Sequence, residues 1–536
     1  MRRAATLRFA GFPLAVLLAG CLAHDTVTSP NYESDRANRL FAAGFQDVSD
    51  IYIEDVSIES LAMAGMENLS TLDPAIKIVR ESGQLALTVD GRPASNLALP
   101  PRGDADSWAD VTAATIKAGR QHSVQLAKAG AEDVYEAVFD GIVSELDGFS
   151  RYAGREEARE NRASRDGFGG IGVRISLIDE GVKILSVMEN TPAAASGLLD
   201  GDVIVMIEGE PVTGLSQREV VRRLRGPLRS RVTLTIDRKG VQQRQVVTVT
   251  RAHIVPQTVR YRAEGDIGYI RVSGFNQSTA HSLRKKLELA HDELGARLKG
   301  IVLDLRNNPG GLLDQSVSVS DLFLGGGRIV STHGRHPDSH QYFEASAPAL
   351  AGSTPLVVLV NGSSASASEI VAAALQDAGR AVVIGSSSFG KGTVQTVLRL
   401  PNEGELTLTW ARFHAPTGYA LNRRGVLPDI CTSNGTSGLS TVLDNLQSGA
   451  LPIARDRQTT NIAPNDEDSV AQLRALCPGA EGENELDLQI AKAILNNPAL
   501  YAKAIIDAPM TASSRERQVT ATGQTGSGQA GGDKPL

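Results

Sequence analysis

Residues 361–395 read NGSSASASEIVAAALQDAGRAVVIGSSSFGKGTVQ, and the reading of the rest of the chain depends on them. A Ser-rich loop runs into an Ala-rich helix, a short apolar strand follows at Ala381–Ile384, and a Gly-Lys-Gly turn comes next. A serine becomes a nucleophile when a base takes its proton, and lysine can serve once burial has removed its own. Free lysine has a pKa near ~10.4, and desolvation in an apolar pocket is the usual way to lower it. Lys391 lies between Phe389 and Val394 with glycine on both sides, so backbone can pack closely around the amine. The stretch therefore supplies serine, lysine and a helix N-terminus whose free N–H groups can hold an oxyanion. Residue chemistry alone does not choose among Ser363, Ser364, Ser366 and Ser368.

Two other readings compete. The serines can form a solvated loop and Lys391 a surface turn. Alternatively, Gly385-Ser-Ser-Ser-Phe-Gly390-Lys391 follows a strand and matches GxxxxGK, the start of a phosphate-binding loop. That match fails at Gly392, where a Mg²⁺-binding Ser or Thr belongs. It fails again at VQTVLRL, which has strand character where a phosphate loop must open a helix.

The chain of 536 residues is long enough for two or three domains with real cores. Its 41% apolar and 21% charged content is that of a soluble globular protein, and a net charge of −7 leaves no basic footprint for nucleic acid. No apolar run after residue 25 is long enough to span a bilayer. The first residues differ. MRRAATLR is basic, FAGFPLAVLLAG is a short apolar core, and Cys21 follows Leu18-Ala19-Gly20, so residues 1–20 read as a secretory signal. Leu-Ala-Gly-Cys resembles the bacterial lipobox, in which the cysteine is lipidated and becomes the first residue; the alternative is a plain signal peptide. Leu22, in place of the aspartate that retains lipoproteins at the inner membrane, points to the outer membrane. The expected location is the bacterial cell envelope, with Cys21 as a membrane anchor and the body facing the periplasm. Cys431 and Cys477 remain; in an oxidising compartment they either pair or stay free thiols, and both options stay open.

Within residues 21–160, a polar tether is expected over 22–43, followed by a mostly helical region with one hairpin at LALTVDGRPASNL, turned by Asp90-Gly91. Two segments, SLAMAGMENLSTLDP and VFDGIVSELDGFS, share a Gly-hydrophobic pair leading to Leu-Asp, by duplication or by chance. Residues 166–253 form a β-rich unit: GVKILSVM, DVIVMIEG, RVTLTIDR and RQVVTVTR are strands, with REVVRRLRG a helix between the second and third. Its opening GFGGIGV matches GxGxxG by letters but leads into a strand, not the helix a dinucleotide site requires. The unit resembles a PDZ domain. On that resemblance Phe168, Gly169, Gly170, Ile171, Gly172 and Val173 are the loop that binds a peptide carboxylate while an extended peptide adds as a strand.

From 255 to 430 the pattern is α/β: DIGYIRVSGF is a strand, HSLRKKLELAHDEL an amphipathic helix, and GIVLDLR a buried strand with one polar exception, Asp304. Asn307-Asn308-Pro309-Gly310-Gly311 then forms a tight turn. His333, His336 and His340 share the segment STHGRHPDSH, where Gly334 and Pro337 break any helix; a solvated polar loop is expected rather than a metal site. No GxSxG elbow appears. Residues 431–510 turn helical, and 511–536, rich in Gly, Ser, Thr and Gln, are expected to be disordered.

NGSSASASEI and SFGKGTVQ, with LDLRNNPGG upstream, resemble the carboxyl-terminal processing (tail-specific) serine proteases over roughly residues 130–430. The resemblance implies a multidomain α/β protein whose catalytic core is of the crotonase/Clp-protease-like kind, with a Ser–Lys–Gln site at Ser366, Lys391 and Gln395. It implies an oxyanion hole from the Gly311 and Ala367 amides, protein or peptide substrates recognised by a free C-terminus, room for an adaptor protein, and no cofactor. The chain departs from the family at Pro309, where glycine is more common, and at Gly148-Phe149, where Pro-His is common. A non-catalytic PDZ scaffold on the same fold is the alternative.

Overall fold

The structure is a computed structural model that describes residues 33–346, 348–434, 438–449, 462 and 466–505. The signal segment 1–20, Cys21 and the tail 511–536 lie outside the described residues.

At the centre is a sheet ordered Val259–Glu264, Ile267–Val272, Gly300–Asp304, Leu356–Val360, Val382–Gly385, Ile430–Cys431. The first pair is antiparallel and the remaining pairs are parallel. Strands covered on both faces read as unbroken apolar runs, as LVVLV and VVIG do. One face packs on the helices Thr279–Leu294, Leu313–Asp321 and Ala367–Asp377. The other is covered by the helices Leu439–Ser448, Glu485–Leu495 and Pro498–Ala504. The segment after residue 430 is therefore a layer of this core as well as a helical region. Asp304, the polar exception in its strand, accepts two hydrogen bonds from the Arg306 guanidinium (3.0 and 2.7 Å). Arg306 reaches on to Asp487, at 3.1 Å. A buried cation thus ties the C-terminal helices to the sheet.

A second sheet, ordered Gln341–Glu344, Arg328–His333, Glu405–His414, Thr393–Arg399, also pairs with Arg151–Ala153. Its Leu400, Leu406 and Leu408 complete the core of the N-terminal helices Ser34–Ile51, Ile58–Glu67, Ala105–His122 and Ala131–Ser144. Three expectations are corrected here. Residues 34–43 are not tether: Ala37, Leu40, Phe41, Phe45 and Val48 recur at helical spacing and are fully buried. The hairpin Gln84–Val89/Arg92–Ala98 has a third strand, Ile76–Glu81, joined through Ser82-Gly83, both at positive φ. His333 ends a strand rather than lying in a loop, and its ring packs against His340, His414 and Tyr342.

The β-rich unit has a six-stranded sheet, with five strands in the order Gln245–Thr250, Arg231–Asp237, Val203–Ile207, Gly181–Val187, Val173–Ile178 and the short Glu210–Pro211 paired to Val203–Ile207. Helix Gln217–Leu224 opens on a Ser216/Glu219 capping box. Strand Phe168–Gly170 pairs separately with Ala252–Ile254.

Candidate active site

Three loops leave the carboxyl ends of adjacent parallel strands: 305–311 after Gly300–Asp304, 361–366 after Leu356–Val360, and 386–391 after Val382–Gly385. That edge is where open α/β sheets place their sites. The loops are knitted together. Asn361 Nδ2 donates to Asn307 Oδ1 (2.7 Å), the Ala365 N–H to the Asn308 carbonyl (3.0 Å), and the Phe389 N–H to the Ser364 carbonyl (2.9 Å).

The structure separates the four serines that the sequence left equal. Ser364 and Ser368 are buried, and their hydroxyls donate to the carbonyls of Leu305 and Asn308. Ser363 sits in the preceding turn, where its N–H donates to Asn361 Oδ1. Ser366 is half-buried at the N-cap of helix Ala367–Asp377, with φ 56° and ψ −115°. Such backbone costs a non-glycine residue about 1–3 kcal/mol and persists only where its surroundings enforce it. Gly310 makes the close approach possible, since a Cβ there would stand 2.9 Å from Ser366 Cβ and 3.0 Å from the Ala367 nitrogen.

Glu369 is the residue that enforces this geometry, and the sequence reading passed over it. It is fully buried. One carboxylate oxygen accepts from the Ser366 N–H (2.7 Å) and the Lys391 N–H (2.9 Å). The other accepts from Ser388 Oγ (2.5 Å) and the Gly390 N–H (2.6 Å). Burial pushes this carboxyl up, and the four donors pull it back. A single carboxylate thus fixes the serine loop against the lysine loop. The signal was present as Ser366-x-x-Glu369, the capping-box pattern, here with the glutamate reaching back while the serine hydroxyl stays out of the cap.

Lys391 is half-buried, and its Nζ lies 4.9 Å from the centre of the Phe149 ring. Desolvation, then the positive charge of Arg151, lower its pKa; Asp147 and Glu369 oppose the fall. The segment Asp147–Arg151, singled out for its unusual Gly-Phe, is therefore the wall over the lysine. Among the described residues neither Ser366 Oγ nor Lys391 Nζ has a hydrogen-bond partner. Gln395 is on strand Thr393–Arg399, and its amide nitrogen donates to Thr393 Oγ1 (2.8 Å) and Thr409 Oγ1 (3.1 Å) rather than lying against Lys391. The Gly311 and Ala367 N–H groups have no partner among the described residues, whereas the adjoining Leu312 N–H is held by Phe275. The Ser366 and Lys391 backbones are thus joined through one Glu369 oxygen, and the strand after Lys391 rules out the phosphate-loop geometry.

In the β-rich unit, Phe168–Gly170 is a strand and Ile171-Gly172 turns into Val173–Ile178. Gly172 is at φ 87°, and a Cβ there would meet Thr191 at 2.4 Å. The Ile171 and Gly172 N–H groups are unpaired among the described residues. The Arg225 guanidinium stacks 3.9 Å over the Phe168 ring. Strand Val173–Ile178 is the last of its sheet, so its outer edge is open to strand addition.

A PDZ-like unit attached to an α/β core, with a serine loop and a lysine loop joined through one buried carboxylate, fits a peptidase. Comparison with known proteins agrees. The model of peptidase family S41 matches residues 266–432, and that of the PDZ domain matches 169–249. A carboxy-terminal-processing protease of Bartonella bacilliformis is 43% identical over 301 residues, covering 56% of this chain and 69% of the relative. A probable CtpA-like serine protease of Staphylococcus aureus strain COL is 31% identical over 382 residues, covering 70% and 73%. Among solved structures, a photosystem II D1 C-terminal processing protease aligns with 24% identity and a TM-score of 0.37 over 76% of this chain and 96% of its own. The chain belongs to the carboxy-terminal-processing proteases of peptidase family S41.

Proposed function

We propose that the protein is a serine endopeptidase in which Ser366 attacks the scissile carbonyl and Lys391 takes and returns the proton. The Gly311 and Ala367 amides stabilise the oxyanion. The observation that carries this reading is the strained Ser366 backbone, held through Glu369 against the loop of a lysine whose pKa is lowered. Gln395 is a positioning residue whose amide is oriented by Thr393 and Thr409, with its carbonyl oxygen left to meet the ammonium once substrate closes the site. Substrates are protein chains whose C-terminal carboxylate is held by the amides of Phe168–Val173 while the segment before it pairs with Val173–Ile178. An adaptor protein can deliver them.

Lys391 must be neutral to accept the Ser366 proton, so cleavage rises with pH through the lysine pKa. Burial and Arg151 place that limb below the ordinary ~10.4. Arginine cannot lose its proton at any working pH, so Lys391→Arg is expected to be as inactive as Lys391→Ala or Ser366→Ala. The assay is cleavage of an unstructured protein with an apolar C-terminus by the purified variants. Turnover by Ser366→Ala or Lys391→Arg overturns the pair and leaves the PDZ scaffold. The envelope location rests on Leu18–Cys21: Cys21→Ser should lose lipid labelling and leave the membrane fraction, and a wild-type chain without lipid on Cys21 refutes the anchor.

A further inference from the structure

The last turn of helix Glu467–Ala475 and the segment after it touch two of the loops proposed to form the site. On the lysine loop, Arg474 Nη1 donates to the Ser388 carbonyl (2.9 Å) and, from the same nitrogen, to the Arg424 carbonyl (2.9 Å). Ser387 Oγ donates to the Cys477 carbonyl, and the Ala480 N–H donates to Ser386 Oγ, 3.0 Å. On the serine loop, the Gly362 N–H donates to the Ala480 carbonyl (2.8 Å) and Asn361 Nδ2 to the Gly482 carbonyl (2.6 Å). One short segment therefore holds Ser386, Ser387 and Ser388 on one side and Asn361 and Gly362 on the other. Ser388 is also the hydroxyl donor to Glu369, and the Glu369 carboxylate acts electrostatically on the Arg474 guanidinium. The segment is locked by the Cys431–Cys477 disulfide, and Cys431 belongs to the last strand of the central sheet. Without that bond the chain between the two cysteines, 46 residues apart, is the covalent route back to the sheet.

We propose that Arg474–Gly482, locked by the Cys431–Cys477 disulfide, is a clamp that positions the lysine loop against the serine loop, with Arg474 as its chief positioning residue. The proposal rests on the Ser366–Lys391 reading of the site. It makes the C-terminal layer part of the catalytic apparatus, acting through Ser388 and Glu369 without touching substrate. Loosening the clamp lets the loop swing outward, so Lys391 regains water and its proton is harder to remove. The groups facing Lys391 are the Phe149 ring, Arg151 and Asp147 from the wall segment and Glu369 from the nucleophile helix. None of them belongs to the clamp, so its removal changes the amine only through the position of the loop relative to these groups and to water.

The test uses the full chain and the pH dependence of kcat on an unstructured protein substrate. In Arg474→Ala and in the Cys431→Ser/Cys477→Ser double variant, the rising limb is expected to move up by about one pH unit. Turnover at pH 7 then falls about tenfold with KM little changed, since one unit of pKa is tenfold in neutral lysine. Arg474→Lys, which keeps the charge and one nitrogen able to serve both carbonyls, should return the limb most of the way. Ser386→Ala removes one hydroxyl and keeps the disulfide, so it covers the case in which the larger variants do not fold; its limb should move by a smaller amount in the same direction. A fall in folded fraction lowers kcat at every pH and leaves the midpoint in place. An unmoved limb in Ser386→Ala together with Arg474→Ala or the double variant overturns the clamp, while wild-type turnover still depends on Ser366 and Lys391. Turnover that survives Ser366→Ala instead overturns the site itself, and the clamp with it.

Discussion

Ser366 carries an unfavourable backbone because the groups around it are fully committed elsewhere. Glu369 takes its N–H, Gly310 packs against its Cβ, and the hydroxyl stays out of the cap. Glu369 accepts four hydrogen bonds, and an ionised carboxylate is what such a set of donors requires. Glu369→Gln keeps the shape but turns one acceptor into a donor facing donors already in place. Each buried group left unsatisfied costs about 1–3 kcal/mol. The expected result is a ten- to hundredfold or larger fall in kcat with a smaller change in KM, together with a lower melting temperature. Steady-state cleavage and calorimetry check this; wild-type kcat in Glu369→Gln would remove the glutamate from its positioning role.

At the scale of elements, the two similar segments noted in the sequence become a packed helix pair. Helices Ile58–Glu67 and Ala131–Ser144 cross where Gly65 and Gly141 face the partner backbone. A Cβ on Gly141 would lie 2.4 Å from the Ala64 carbonyl oxygen, whereas one on Gly65 would lie 3.0 Å from that of Val138. Backbone cannot yield as a side-chain tip can, so Gly141→Ala must part the helices. Overpacking costs about 1–3 kcal/mol and outweighs the gain of up to about 1 kcal/mol in helix propensity. Gly65→Ala is expected to be close to neutral. Denaturant unfolding followed by Trp108 fluorescence in a Trp410→Phe background separates the two, and equal stabilities would show that the crossing is not fixed by these glycines.

Across the whole molecule the units are joined by charge as well as by chain. Helix Arg155–Asp166, which leads into the PDZ unit, sends Arg162 (3.0 Å) and Arg165 (2.8 Å) to the buried Glu405 carboxylate at the start of strand Glu405–His414. That strand also carries Thr409, the partner of Gln395. The helix leading into the PDZ unit and Gln395 therefore rest on one shared strand. If the loop Phe168–Val173 holds a terminal carboxylate, replacing that group by an amide removes the charge its N–H groups would meet. A free-acid peptide with an apolar C-terminus should then bind at least tenfold more tightly than its amidated form, as read by fluorescence anisotropy with the full-length Ser366→Ala chain. Equal affinities would mean that the PDZ unit does not select C-termini.

The sequence by itself determined whatever repeats along the chain or is written in adjacent residues. The alternation of the PDZ strands, the apolar runs of the parallel sheet and the Asp90-Gly91 turn were all legible, because local sterics and burial act at short range; the Ser-Lys-Gln set came from the resemblance alone. Helix Ser34–Ile51 was equally legible in the spacing of Leu40, Phe41, Phe45 and Val48, although a polar start disguised it as tether. Tertiary structure alone decided the rest. It distinguished Ser366 from three neighbouring serines by a backbone angle, turned Glu369 from a helix cap into the link between two loops, and set Phe149 over a lysine more than two hundred residues away. It gave Gln395 two threonine partners in place of Lys391, and it paired Cys431 with Cys477. These contacts arise where loops from separate strands converge on one edge of a sheet, and no periodicity in the chain encodes which loop meets which.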